Sequence, residues 1–497
     1  MVVVLLAGYS LLPCSLRAQD YVPLRANLHV HTYYSYKTLD PTFDHYECKS
    51  PTEEMAEGAA VGLNVVGFSD HGNRLSAAEW AEEGTIARPG GPIALRGFEW
   101  TPSADHCNVF GATAPSNPDT GDLESACQTT GSSVSDLFRW LKKTAVDPSH
   151  GTIVAQFNHI SNYKSSGALF NNFTWDADAD PFFCLAEIGY PPNPFHEPAL
   201  YHSASESEGD WRIALQNGWH VAPSIGIDNQ FGIGDAAVNR CTGLWLNPAV
   251  GGTERQQVME ALHARRVYAS EARHARLKFR FTRNDNEGQY DWKWMGDRIE
   301  TWNGDKLLLG IDVECPGGSS DEDITLVELK SAAEEPGLVK EFLAGPYPYH
   351  ATLPLLGADL RSMHHTARGE VCLYLDIHHR DGHTFSAPIW ITPHQRKYNI
   401  LVVPSVTTAL GQTAQLTARL TDRVGAGVAG RVLSITVDGE PAQNVTPTDA
   451  NGYATASFPI PAEECPGSRE IRVSLAGDSE YEDNSAIATL VVSTPSD

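Results

Sequence analysis

The stretch RANLHVHTYYS, Arg25 to Ser35, sets His29 and His31 two residues apart. In an extended strand the side chains at i and i+2 leave on the same face, so two imidazoles would stand side by side, an arrangement that can grip a metal ion. An isolated pair of this kind is more often a solvated strand face, because histidine is common on surfaces. Further along, however, apolar runs end one after another in a side chain able to ligate. LNVVGFSDHGN ends in Asp70 and His71, PIALRGFEW in Glu99, GTIVAQFNHIS in His159, FFCLAEIGY in Glu187 and HVAPSIGIDNQFG in Asp228, and His106 follows Glu99 by seven residues. Imidazole nitrogen with carboxylate oxygen is a donor set for Zn, Mn or Fe. An ordered series of such residues is hard to explain as surface, and a metal centre drawing on His29, His31, His71, Glu99, His106, His159 and Asp228 is expected.

Residues so far apart in the chain must be gathered by the elements that carry them. From about residue 25 to 270, short apolar runs alternate with helical patterns, which predicts βα units around a parallel sheet. The C-terminal ends of parallel strands open onto one face, and a β/α barrel would use that face to bring the strand-end residues together. One helix start is well signed. SPTEEMAEGAAVG has Ser50 at the N-cap, Pro51 at the first helical position and Glu53 three residues after the cap, a capping box, with a stop near Gly62. VSDLFRWLKKTA from Val134 and TERQQVMEALHARR from Thr253 carry apolar residues at three- and four-residue spacing and predict two further helices. After about residue 272 the runs ARLKFRF, KLLLGIDVEC, ITLVELKS, EVCLYLDIHH and SAPIWIT alternate with Gly, Asn and Asp turns and predict an antiparallel β-sandwich. The resulting fold class is α/β, with a barrel over 20–272 followed by two all-β sandwiches over 273–397 and 398–497.

The 497 residues exceed one ordinary core and suggest about two to four units. With 41% hydrophobic and 20% charged residues the chain is compositionally globular, and a formal charge of -26 argues against a nucleic-acid duplex or an anionic membrane as partner. MVVVLLAGYSLLPCSLRAQD reads as a secretory leader over 1–19, with cleavage after Ala18, so a secreted or periplasmic location is expected. No other segment is long and apolar enough for a transmembrane span. Eight cysteines remain after Cys14 leaves with the leader; Cys315 with Cys372 and Cys107 with Cys127 are the preferred disulfides, against the alternative of buried free thiols.

On the motifs NLHVHTYYS, VGFSDHGN, GFEW with HCNVFG, QFNHIS and GIDNQFG, residues 24 to 272 resemble the polymerase and histidinol phosphatase (PHP) domain metallohydrolases. ALHARRVYAS also looks like the helix that closes the barrel in exported, multidomain members. The resemblance implies a distorted seven-stranded β/α barrel. It implies a first metal held by His29, His31, Glu99 and Asp228, and a second held by Glu99 as a bridge with His106 and His159. Positions that hold a third metal in trinuclear members look here like Lys37 (or Tyr36), His71 and Gln230, so two divalent ions are expected, with Asp40, Asp44 or His45 as substitutes if the loop folds back. From 398 onward the chain is similar to bacterial immunoglobulin-like repeats, which implies a spacer or adhesive module able to make cell-surface or periplasmic contacts.

The reading that follows is a metal-dependent hydrolase, a phosphoesterase acting on a small-molecule ester or phosphoester. Two metals sharing a carboxylate can lower the pKa of a common water and stabilise charge on the attacked ester. Carboxylic ester, amide or carbamate hydrolysis is the chemical alternative, and a non-catalytic metal-binding surface protein is the rival from another class. Three residues are assigned catalytic roles. Lys37 would supply positive charge to an anionic oxygen, His71 would protonate the leaving oxygen, and Asp70 would orient a ligand or cap a loop.

Overall fold

The computed structural model describes residues 21–35, 49–87, 89–102, 105–113, 133–161, 170–189, 203–229, 232–233, 240–283, 292–303, 305–318, 320–332, 337–343, 345–422 and 425–495. The leader, Tyr36, Lys37, Asp40, Asp44, His45, Cys127 and Gln230 lie outside them.

Strand β1 (Val22–Val30) is buried over its last five residues, Ala26–Val30, so it enters the core just where the histidine pair begins. β2 (Val65–Phe68) and β3 (Ile93–Leu95) add parallel to it. The helix Pro51–Ala60 links β1 to β2; both bonds of the Ser50/Glu53 capping box are made, and the chain leaves the helix through Gly62 at φ +79, which glycine adopts without a Cβ clash. A second sheet is built from β4 (Gly97–Trp100), β5 (Cys107–Phe110), β6 (Val154–Phe157), β7 (Phe183–Gly189) and β8 (Ala222–Ile225), in that order. β9 (Cys241–Leu246) and β10 (Val267–Ser270) return to the first sheet, joined by the helix Glu254–His263, whose cap Thr253 pairs with Gln256.

The predicted α/β barrel is not formed. Of the described residues 43% are in strands and 17% in helices, and the described strands lie in several sheets without closing into a barrel. Two connections account for the difference. β4, β5 and β6 are antiparallel neighbours rather than βα units, so within the second sheet only β6, β7 and β8 repeat the parallel pattern of β1, β2 and β3. β9 runs antiparallel along the other edge of β1, and β10 extends that edge, so the first sheet grows outward. Periodicity reports which residues are apolar; it carries no record of which edge a strand joins. The two sheets touch through isolated bridges at Val30 with Asn229 and His71 with Glu99.

The next ten strands are β11 (Arg276–Arg283), β12 (Lys293–Trp294), β13 (Arg298–Thr301), β14 (Lys306–Glu314), β15 (Ile324–Ser331), β16 (Leu338–Leu343), β17 (Tyr349–Leu356), β18 (Val371–His379), β19 (Gly382–Ser386) and β20 (Ile389–Pro393). β12, β11, β14 and β17 form a four-stranded antiparallel sheet. The other six join the first sheet, because β19 pairs with β10, and bring it to eleven strands. One sheet therefore runs across the expected boundary at residue 272. Leu277, Phe279 and Leu309 of the four-stranded sheet also share a core with Leu28, Leu244 and Met259.

Residues 400–493 form a β-sandwich with its own core. A three-stranded sheet faces a five-stranded one, and Leu416, Leu420, Ile435, Val473 and Leu490 fill the space between them. Cys315 and Cys372 are free thiols, so the first preferred disulfide is absent; Cys107 is a buried free thiol. No helix among the described residues is long and apolar enough to cross a membrane.

Candidate metal centre

Six of the seven expected ligands sit on or just past a strand of the two facing sheets, and the seventh sits just before one. His29 lies in β1 and His31 one residue beyond it, His71 follows β2, Glu99 lies in β4, and His106 immediately precedes β5. His159 and Asp228 follow β6 and β8 at φ +30 and +47, a left-handed backbone that costs a non-glycine residue energy and that tends to collect at functional sites.

Five histidines gather around the Glu99 carboxylate, and Asp228 joins them through His29 and His31. Glu99 Oε1 lies 3.2 Å from His29 Nε2, 3.3 Å from His106 Nδ1 and 3.6 Å from His159 Nε2. Oε2 lies 3.1 Å from His71 Nδ1 and 3.7 Å from His31 Nε2. Asp228 Oδ1 is 2.9 Å from His31 Nε2 and 3.5 Å from His29 Nε2. The donors fall into three groups: His29, His31 and Asp228; His31, His71 and Glu99; Glu99, His106 and His159.

Their spacing suits a ligand shell. Metal bonds of about 2.0–2.1 Å at tetrahedral angles put neighbouring ligand atoms roughly 3.3 Å apart. Most of the separations around Glu99 lie near that value. His29 Nε2, buried and only 3.2 Å from a carboxylate oxygen, makes no hydrogen bond, so the two groups are close without being aligned. These residues fit a divalent transition metal.

Buried partners fix how each imidazole is presented. His29 Nδ1 lies 3.1 Å from both oxygens of Glu187; a carboxylate only accepts, so Nδ1 carries the proton and Nε2 turns inward. The other side of Glu187 accepts the His159 N–H at 2.8 Å. This packing needs glycine at 226, where a Cβ would stand 1.9 Å from Glu187 Oε1 and 2.5 Å from the His29 Cβ. Asp70 accepts from Thr32 Oγ1 at 2.7 Å and from Ser35 Oγ at 2.5 Å. Ser35 Oγ, its proton given to Asp70, accepts from His31 Nδ1 at 3.0 Å and from the His71 N–H at 3.0 Å. Asn158 donates to Glu99 Oε1 at 2.9 Å.

The electrostatics follow from burial and charge in competition. For Glu99 burial opposes ionisation most strongly, but His106 and His29 together hold the carboxyl well below the usual range. Burial likewise opposes a charge on His29, yet Glu187, Asp228 and Glu99 outweigh it and raise its pKa well above the ordinary value. A divalent cation would take the place of the proton these carboxylates attract. At His71 burial wins and lowers the pKa, which keeps the ring neutral and able to ligate. Just behind, Glu54 is fully buried against Asn229 and the Ile233 N–H, and burial pushes its carboxyl up to about 8.

The catalytic assignments fare differently. His71 stands among the donors, beside His31 and Glu99. Asp70 is fully buried with its oxygens taken by the turn at Thr32–Ser35. Lys37 lies outside the described residues. Ser35 is not singled out in the sequence; the serine four residues after His31 was the available signal, but nothing local shows that its hydroxyl turns toward Asp70.

No protein-family model matches the chain, and no curated protein matches it. Among solved structures, similarity is found to titin Z1Z2 domains in complex with telethonin, at 11% identity and TM-score 0.21, covering 40% of this chain and 94% of that one. A titin M4 domain shows 16% identity and TM-score 0.15, covering 19% of this chain and 95% of that one. Scores this low leave the β-sandwich character of the chain to rest on its own sheets, and they bear on no activity.

Proposed function

We propose that the protein is a divalent-metal-dependent hydrolase of small phosphoesters. The observation that carries this reading is the Glu99 carboxylate, which turns one oxygen to His29, His106 and His159 and the other to His31 and His71 at near-ligand spacing. Bound metal would supply Lewis acidity and a water activated near neutral pH. The chain's own residues decide how substrate meets it. His29, His31, Glu99 and His159 have side chains no more than 2% exposed, while those of His71, His106 and Asp228 are 22%, 18% and 16% exposed. Substrate therefore approaches over the His71, His106 and Asp228 side, and the buried set excludes water from behind. Glu187 holds His29, and Ser35 with Asp70 holds His31, so the inward nitrogens need no reorganisation when an ion binds.

Carboxylic ester hydrolysis would draw on the same groups, so the test compares substrates. Metal-free protein supplied with Mn or Zn is assayed on p-nitrophenyl phosphate, bis-p-nitrophenyl phosphate and p-nitrophenyl acetate. Metal-dependent turnover of a phosphoester that disappears in Glu99→Ala supports the proposal. Turnover of the acetate alone would reassign the substrate class, and bound metal without turnover would leave a binding protein.

A further inference from the structure

A second group of ligating side chains lies on another part of the eleven-stranded sheet and shares no residue with the Glu99 group. On β18 the period of two puts Asp376 and His378 on one face, and the β18–β19 register sets His378 directly opposite His383. The β15–β18 register places Glu328 opposite Asp376. His383 Nδ1 lies 2.8 Å from Asp376 Oδ1, and His378 Nε2 lies 3.3 Å from Asp376 Oδ2 and 2.8 Å from Glu328 Oε2. The two imidazole centroids are 4.4 Å apart. Asp376 is 1% exposed, whereas the side chains of His378 and His383 are 27% and 23% exposed, so the group has a buried anchor and an open side.

Charge is unbalanced there. Lys330 Nζ contacts three carboxylates, Asp376 at 2.8 Å, Glu208 at 3.1 Å and Glu328 at 3.3 Å. Three carboxylates share this one ammonium, and a divalent cation held beside Asp376 and Glu328 would add positive charge there. Two histidines and one carboxylate with an open side make a donor set suited to Zn or Fe(II).

We propose that Asp376, His378 and His383 bind a divalent transition-metal ion, with Glu328 as a fourth donor, and that this ion ties the β18–β19 hairpin to β15. The site does not depend on the hydrolase reading, because it contains none of the residues around Glu99.

The full-length protein is stripped with chelator, dialysed against Zn(II) and analysed for metal per chain, alongside Glu99→Ala, His383→Ala and the double variant. The expected result is that His383→Ala holds one ion fewer than the parent, Glu99→Ala keeps that ion, and the double variant loses it. Co(II) added to Glu99→Ala should give d–d absorption that is absent from the double variant. Equal metal content in the parent and His383→Ala, or no ion left in Glu99→Ala, overturns the proposal. Should His383→Ala fail to fold by circular dichroism, His378→Ala, altered at the more exposed imidazole, is read the same way.

Discussion

The Glu99 and Asp376 groups use the same donor types in opposite ways. Around Glu99 the residues come from separate segments spread between His29 and Asp228, meet where two sheets face each other, and stand near 3.3 Å apart with His29 Nε2 unbonded. Around Asp376 they come from one hairpin and its neighbour strand, and Lys330 already bonds to the carboxylates. The contrast extends to buried acids. Burial dominates at Glu54 and drives its pKa up, while at Asp376 burial is outweighed by His378, His383 and Lys330, which pull the carboxyl down. A group collected from distant segments can be dried on most sides and left poised for an ion; one built within a hairpin stays near solvent and is partly neutralised by its own lysine.

The largest expected break is Glu99→Ala. It should remove metal from all the groups that share this carboxylate and lower phosphoester turnover by at least about 100-fold, beyond the range of losses from orienting partners. Metal analysis and initial rates check this, and retention of the full complement would contradict the shared-carboxylate arrangement.

Next comes the pH dependence of metal-free protein. Because the folded pKa of Glu54 is raised to about 8, its contribution to stability is full below the unfolded value near 4.5 and is lost as pH rises toward 8. Glu54→Gln should flatten the stability curve over that window by on the order of 3–4 kcal/mol. Urea denaturation at pH 5 and pH 8 measures the difference, and parallel curves for parent and variant would show that Glu54 ionises freely.

Glu187→Gln should weaken metal binding at the Glu99 group by about tenfold and leave metal at the Asp376 group unchanged, since it alters the partner of His29 Nδ1 and of the His159 N–H, both in the Glu99 group. Competition with a chromophoric chelator reads this directly. Ser35→Ala should be the mildest. It removes an acceptor for His31 Nδ1 and a donor to Asp70, worth about 1 kcal/mol in thermal stability, with a few-fold loss of metal affinity. If Ser35→Ala were more damaging than Glu187→Gln, Asp70 rather than Glu187 would be the main support of the centre.

Much of the candidate site is legible in the sequence by residue type and by position after apolar runs, and the helices at Pro51 and Glu254 are legible from caps three residues from their partners. Those signals are local: a capping bond closes within one turn, and the same-face relation of His29 and His31 follows from strand geometry alone. Strand partners are not local. Antiparallel pairing of β4 with β5 and of β1 with β9 replaced the expected barrel, and the β10–β19 pairing carried one sheet across residue 272. The Asp376 group shows the same division within a few residues. The sequence DIH sets Asp376 and His378 on one face, but His383 reaches them only through the hairpin register, and Glu328 only through the pairing of β15 with β18. Composition and periodicity determined which side chains are able to ligate and which segments are buried. Which of them meet depended on long-range edge pairing, whose free energy comes from hydrogen bonds and packing between segments far apart in the chain.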